Sequence, residues 1–165
     1  MNNTKLYLFI IITAHVLFLI YNESFSQNVN NLEFMLQKEY VGKNIPIELY
    51  KLTSEKLINK KTSLMIYLPS KICFSCAESI FQKLKNRKEY TLIVLEDYKN
   101  PSIIGLIKYN GFTKSYIVDQ NKIFRKLFLK NFVLFSPLLV LVHKQLIKNI
   151  TILNNKTDTE KYFKK

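Results

Sequence analysis

Apolar positions along the chain follow several distinct rhythms, and each predicts a different kind of element. Leu64-Met65-Ile66-Tyr67-Leu68 and Thr91-Leu92-Ile93-Val94-Leu95 are short unbroken apolar runs, the first closed by Pro69 and the second by Glu96 and Asp97. Runs of that length predict strands covered on both faces, the habit of a parallel sheet flanked by helices. Between them Ala77, Ile80, Phe81 and Leu84 recur at i, i+3, i+4 and i+7, while Gln82, Lys83, Lys85 and Arg87 fall on the opposite side. An amphipathic helix there joins the two strands as a βαβ unit.

Downstream, Asn100 followed by Pro101 predicts a helix N-cap and first helical position, with Ile103, Ile104 and Ile107 inward and Asn110-Gly111 as the stop. Tyr116-Ile117-Val118 predicts a third strand, and Asp119 a cap for a helix that turns Ile123, Phe124, Leu127 and Phe128 inward. After Ser136-Pro137 the apolar runs 138–142 and 146–152 are separated by only His143-Lys144-Gln145, so they must form an antiparallel hairpin.

Upstream the pattern is weaker. Leu32, Met35 and Leu36 are spaced as one face of a short helix, Gly42-Lys43-Asn44-Ile45-Pro46 reads as a turn, and Ile47, Leu49 and Leu52 as an edge strand. Thr53 or Ser54 would cap a short helix to residue 60, and Thr157-x-x-Glu160 would start a last one in the polar tail.

The first residues have a separate logic. Lys5 precedes an apolar run, 6–21, interrupted only by Thr13 and His15, and Asn22-Glu23-Ser24-Phe25-Ser26-Gln27 supplies small residues after it. Basic, apolar and cleavable segments in that order predict a signal peptide over 1–26, cut after Ser26; a retained signal anchor is the alternative, although the run is short of the roughly 20 residues of a comfortable span. Residues 27–44 then form an N-terminal extension, and 45–165 one folded domain.

The formal charge of +13 changes this picture little. It comes from scattered lysines, with Arg87 and Arg125 the only arginines, and readers of nucleic acid favour the Arg fork. No nucleic-acid partner is expected; the charge reads as a solvated surface.

The two cysteines carry the chemistry. Cys73 and Cys76, in Cys73-Phe74-Ser75-Cys76, follow a buried strand and precede an amphipathic helix. Two thiols at that spacing can close a small disulfide ring and cycle between dithiol and disulfide. A sulfur at the helix start meets unpaired N–H groups and the positive end of the helix dipole, so Cys73 is expected as the thiolate nucleophile, and Cys76, one turn inside, as the resolving thiol. The start itself is open: Ser75-x-x-Glu78 matches a capping box, and Ser70 could cap an earlier helix. A zinc site would need ligands the chain lacks, with only His143 beside the cysteines after residue 26, so no metal is expected. A purely structural disulfide stays open.

Strand 64–68, the Cys73-Phe74-Ser75-Cys76 helix start and Ser136-Pro137 before a hairpin together resemble the thioredoxin-like superfamily, in particular the exported bacterial redoxins, over residues 45–165. The resemblance implies an α/β fold with a central mixed β-sheet flanked by helices, and an insertion, residues 100–135, before the hairpin. It implies that Pro137 is a cis-proline beside the redox pair and that Ser136, with Phe74 and Ser75, meets an extended substrate segment. Taken by its position alone, Pro137 leaves an ordinary trans strand-start proline as the lesser alternative. Two residues depart from the pattern: Ile72 stands for the usual aromatic residue before the first Cys, and Phe74-Ser75 for the frequent Gly-Pro.

The expected function is thiol–disulfide exchange on exported protein thiols and disulfides, in the periplasm or at a membrane facing it, with a membrane electron donor as a further partner. No cofactor is expected beyond the redox-active Cys73–Cys76 disulfide. The alternative is a non-catalytic thioredoxin-like interaction module held by a structural disulfide.

Overall fold

The computed structural model describes residues 3–57, 62–85, 90–96, 100–130, 132 and 134–153. The chain divides into two compact units, Met1–Met35 and Leu36–Lys165.

Helix α1, Asn3–Tyr40, runs unbroken for 38 residues. No Gly or Pro stands before residue 42, so nothing in the backbone ends the helix earlier. The short helix expected around Leu32–Leu36 is therefore the last part of a long one, and Met35, read as part of its inner stripe, is exposed while Leu36 is buried. Among the described residues no helix is long and apolar enough to cross a membrane.

In the second unit, residues 47–52 are a helix and not the expected edge strand: α2 spans Ile47–Leu57. Pro46 accepts the N–H of Tyr50 at 2.8 Å, which starts the first turn. Leu49 and Thr53, at i and i+4, are then buried, and Ile47, which a strand would put on the same face as Leu49, is exposed. Thr53, expected as a helix cap, lies inside α2 with its hydroxyl donating to Leu49 O at 2.8 Å; the expected helix end near residue 60 and the capping box at Thr157 lie outside the described residues.

The remaining elements follow the apolar pattern. Strand β1 is Thr62–Leu68, α3 Phe74–Leu84, β2 Tyr90–Leu95, α4 Pro101–Tyr109, β3 Tyr116–Val118, β4 Leu138–His143 and β5 Leu146–Ile152. The sheet order is β3-β2-β1-β4-β5. β1 and β2, and β2 and β3, run parallel, whereas β4 is antiparallel to β1 and β5 antiparallel to β4. The hairpin turns at Lys144 and Gln145, both with positive φ. Along β5, residues 42–45 add backbone bonds of Gly42 N–H to Ile147 O and Ile147 N–H to Lys43 O, at 2.8 and 2.9 Å.

Alternation along β1 sorts the core into two layers. Leu64, Ile66 and Leu68 pack with Ile93, Leu95 and the inner faces of α3 and α4, from Ala77, Ile80, Phe81 and Leu84 to Ile103 and Ile107. On the other face Tyr67 stacks on Phe124, ring centroids 4.7 Å apart, and Phe124 meets Phe128. These two phenylalanines belong to the turn after β3. The Asp119 carboxylate accepts the N–H groups of Ile123 and Phe124 at 2.8 and 2.7 Å, as its expected capping role requires. The helix it starts loosens into a π-helical segment, Arg125–Leu129, closed by Lys130 N–H to Arg125 O. That widening turns Leu129 inward and leaves Leu127 half-buried, a departure from simple helical spacing.

This arrangement is the expected α/β one: a mixed five-stranded sheet flanked by helices, with the helix after its central strand opening at the cysteines.

Candidate active site

The loop that carries the cysteines leaves the sheet at the end of β1. Leu68 is the last paired residue; Pro69 to Ile72 form a turn in which Ile72 N–H reaches Pro69 O at 3.1 Å, and buried Ile72 pins the turn to the α3 side of the core. Cys73 follows as the N-cap of α3, with extended backbone, and Phe74 is the first helical residue. Neither Ser70 nor Ser75 caps the helix. The cap is the sulfur itself: Cys76 N–H donates to Cys73 Sγ at 3.1 Å, and the Ser75 hydroxyl approaches the same sulfur at 3.5 Å.

Cys73 and Cys76 form a disulfide, with their Cα atoms 5.3 Å apart. Cys73, Phe74 and Ser75 are exposed, and Cys76 is half-buried. A sulfur at the helix N-terminus, facing solvent and accepting a backbone N–H, is placed where a thiolate is favoured on reduction.

Topology brings Ser136 and Pro137 to the same end of the sheet. The β1–β4 register pairs Tyr67 with Leu138, so Pro137 continues it to the level of Leu68, where the cysteine loop departs. Pro137 is buried and its carbonyl accepts Leu153 N–H at 2.8 Å; Ser136 is half-buried. One expectation is corrected here. Among the described residues no peptide bond is cis, so the Ser136–Pro137 bond is trans. Trans is the intrinsically favoured isomer even before proline, and it serves an ordinary strand start. His143 lies at the opposite end of β1, where its Nδ1 meets Thr62 Oγ1 at 2.9 Å, away from the sulfurs as expected.

Three residues that the sequence did not single out support the loop from beneath. Glu96, buried just past the end of β2, accepts Ser70 N–H on Oε2 at 2.8 Å and the Arg125 guanidinium on Oε1 at 2.8 Å. Its own N–H reaches Leu68 O at 3.1 Å. Burial works to raise the Glu96 pKa, but the bonds from Ser70 and Arg125 outweigh it and hold the carboxyl below its ordinary value. Beside it the Tyr67 hydroxyl is fully buried and finds no hydrogen-bond partner among the described residues. Burial first, and then the charge of Glu96, keep that phenol protonated far above the usual range. The phenol lies close enough to the carboxylate to feel its charge, short of a well-formed hydrogen bond.

The sequence signals for this network were slight: an acid closing a strand, and one of only two arginines in a lysine-rich chain. A shallow hollow lined by Leu68, Ser70, Ile72, Leu95, Asn100 and Ile103 opens on the side of the loop. Among the described residues no three His, Cys, Asp or Glu side chains gather to hold a metal.

No protein-family model and no curated protein matches the sequence. Solved structures do resemble it. A secreted Mycobacterium tuberculosis disulfide oxidoreductase homologous to E. coli DsbE is 12% identical, with 62% of this chain and 78% of that one covered and a TM-score of 0.43. The dsbF protein of MTB, in mixed oxidised and reduced forms, is 12% identical over 63% of this chain and 77% of its own, with a TM-score of 0.44. A thiol:disulfide interchange protein from a Bacteroides species is 11% identical over 63% and 69%, with a TM-score of 0.42. These are proteins the chain is similar to; the chemistry of its site rests on the residues described above.

Proposed function

We propose that this chain is a thiol–disulfide oxidoreductase acting on exported protein thiols and disulfides through Cys73 and Cys76. The observation that carries the reading is the exposed Cys73 sulfur capping α3 and accepting the N–H of its disulfide partner.

In the reducing direction the dithiol form reacts. The Cys73 thiolate attacks one sulfur of a substrate disulfide, and the other substrate sulfur leaves with the electron pair and takes a proton from water. Cys76, losing its proton to water, then attacks Cys73 Sγ; the mixed disulfide breaks, the second substrate thiol departs, and Cys73–Cys76 is left oxidised. The substrate gains two electrons and the enzyme loses two. A dithiol donor resets the pair, and with an oxidised chain and a dithiol substrate the same steps run backwards. In this reading exposed Phe74 and Ser75, with Ser136 and Pro137 at the same end of the sheet, form the contact surface for an extended substrate segment. The apolar first turns of α1 favour export or a membrane-facing location, where a membrane donor could supply electrons.

The test uses the full chain with dithiothreitol as donor and insulin as a generic protein disulfide. Cys73→Ser is expected to abolish turnover, and Cys76→Ser to accumulate a mixed disulfide through Cys73. Unaltered turnover in both variants, or none in the unchanged chain, defeats the reading and leaves a disulfide-stapled interaction module.

A further inference from the structure

Reduction removes the covalent link that holds Cys73 against α3. In the dithiol Cys73 is left with its non-covalent ties: on the α3 side the Ala77 N–H to Cys73 O bond and the cap on its sulfur, and on the other side what fixes the four residues before it, namely burial of Ile72, the Ile72 N–H to Pro69 O turn, and the bond from Ser70 N–H to Glu96. The last is the polar tie, to a carboxylate just past the end of β2, beside the apolar one that Ile72 makes. Glu96 is in turn fixed at both ends, by its backbone N–H to Leu68 O and by Arg125, which reaches it from the π-helical segment 29 residues further on. The Asp119 cap and the stack of Phe124 on Tyr67 hold that segment against the sheet.

We infer that Glu96 and Arg125 are positioning residues for the redox pair: the carboxylate anchors the loop through Ser70 N–H so that Cys73 stays at the cap of α3 once the disulfide opens, and the guanidinium orients the carboxylate. The anchor contributes more to the dithiol than to the disulfide, because the disulfide holds Cys73 by itself. The inference rests on the thiol–disulfide reading, and it names what keeps the attacking sulfur at the helix terminus.

Two measurements on the sulfurs test it without any substrate, in the full chain: the dithiol–disulfide equilibrium against glutathione, and the iodoacetamide rate of Cys73 in the reduced protein. Glu96→Leu is expected to shift the equilibrium toward disulfide about threefold or more and to slow alkylation by a similar factor, as loss of a charge-assisted hydrogen bond from one state implies. Glu96→Gln keeps an amide oxygen for Ser70 N–H and is expected to stay within about twofold of the unchanged chain. Arg125→Met, at a half-exposed position, is expected to shift both readouts in the same direction as Glu96→Leu and decides the matter if Glu96→Leu does not fold. Melting temperatures that fall while both readouts stay put would overturn the inference. So would a shift toward the dithiol, which would mean that the carboxylate acts on the sulfur as a bare charge, or a Glu96→Gln variant as impaired as Glu96→Leu. A chain that fails to reduce insulin still yields both numbers, so failure of the proposed function is distinguishable from failure of this one.

Discussion

The backbone N–H of Cys76 donates to the sulfur of Cys73 at 3.1 Å, so the two cysteines are joined both by a covalent bond and by the capping bond of the helix they open. That capping bond is made to the Cys73 sulfur. It also makes the two sulfurs unequal, since one faces solvent at the helix terminus and the other sits half-buried inside the first turn.

That inequality predicts selective alkylation. With the disulfide reduced, iodoacetamide at neutral pH is expected to modify Cys73 well before Cys76, with a rate profile that turns over below the roughly 8.5 of a free thiol. Peptide mapping after a short pulse reads the ratio; equal labelling of the two would contradict the assignment of roles.

The buried hydroxyl of Tyr67 has no partner among the described residues, while its ring stacks on Phe124. Tyr67→Phe keeps the ring and removes the unsatisfied group. It is expected to leave stability unchanged or raise it by about 1 kcal/mol, read by urea unfolding. A loss of 1 kcal/mol or more would show that the hydroxyl is bonded in solution.

Asp119 is fully buried and caps the turn that carries Phe124 and Phe128 into the core. Asp119→Ala leaves two backbone N–H groups without their acceptor and is expected to cost about 1–3 kcal/mol, with Asp119→Asn costing less because one oxygen remains. Denaturant midpoints of the two variants check the order.

Acid should weaken the fold through Glu96. Its carboxyl is held below the ordinary 4.5 in the folded chain, so the unfolded chain takes up the proton first as pH falls. The stabilisation is fully present above that value and is lost progressively as pH drops through the lower folded value. Glu96→Gln should flatten this part of the acid limb of the stability curve; an unchanged limb would mean that the network does not hold the carboxylate in solution.

Most of the sheet was legible because its strands announce themselves by apolar runs and its helices by spacing. β1, β2 and the hairpin needed no tertiary information, nor did the caps at Asn100, whose Oδ1 accepts Ile103 N–H at 3.2 Å, and Asp119. What failed was local ambiguity. Ile47, Leu49 and Leu52 fit two periods, and burial of Leu49 with Thr53 settles the helical one. The helix start at Cys73 had two serine caps competing on paper, and neither could show that a sulfur would take the place. Glu96 and Arg125 were illegible for a different reason: they are 29 residues apart and meet only because β2 ends where the π-helical segment passes.

The strip of chain at residues 42–45 that bonds along β5 has a consequence for how crowded copies of this protein behave. It occupies backbone groups of Ile147 that would otherwise lie open on that flank, while the opposite flank ends in β3, only three residues long. Among the described residues the strip shortens the open ladder at the Ile147 end of β5 and the other margin is a three-residue strand, so a stranger's strand finds less to pair with on either side.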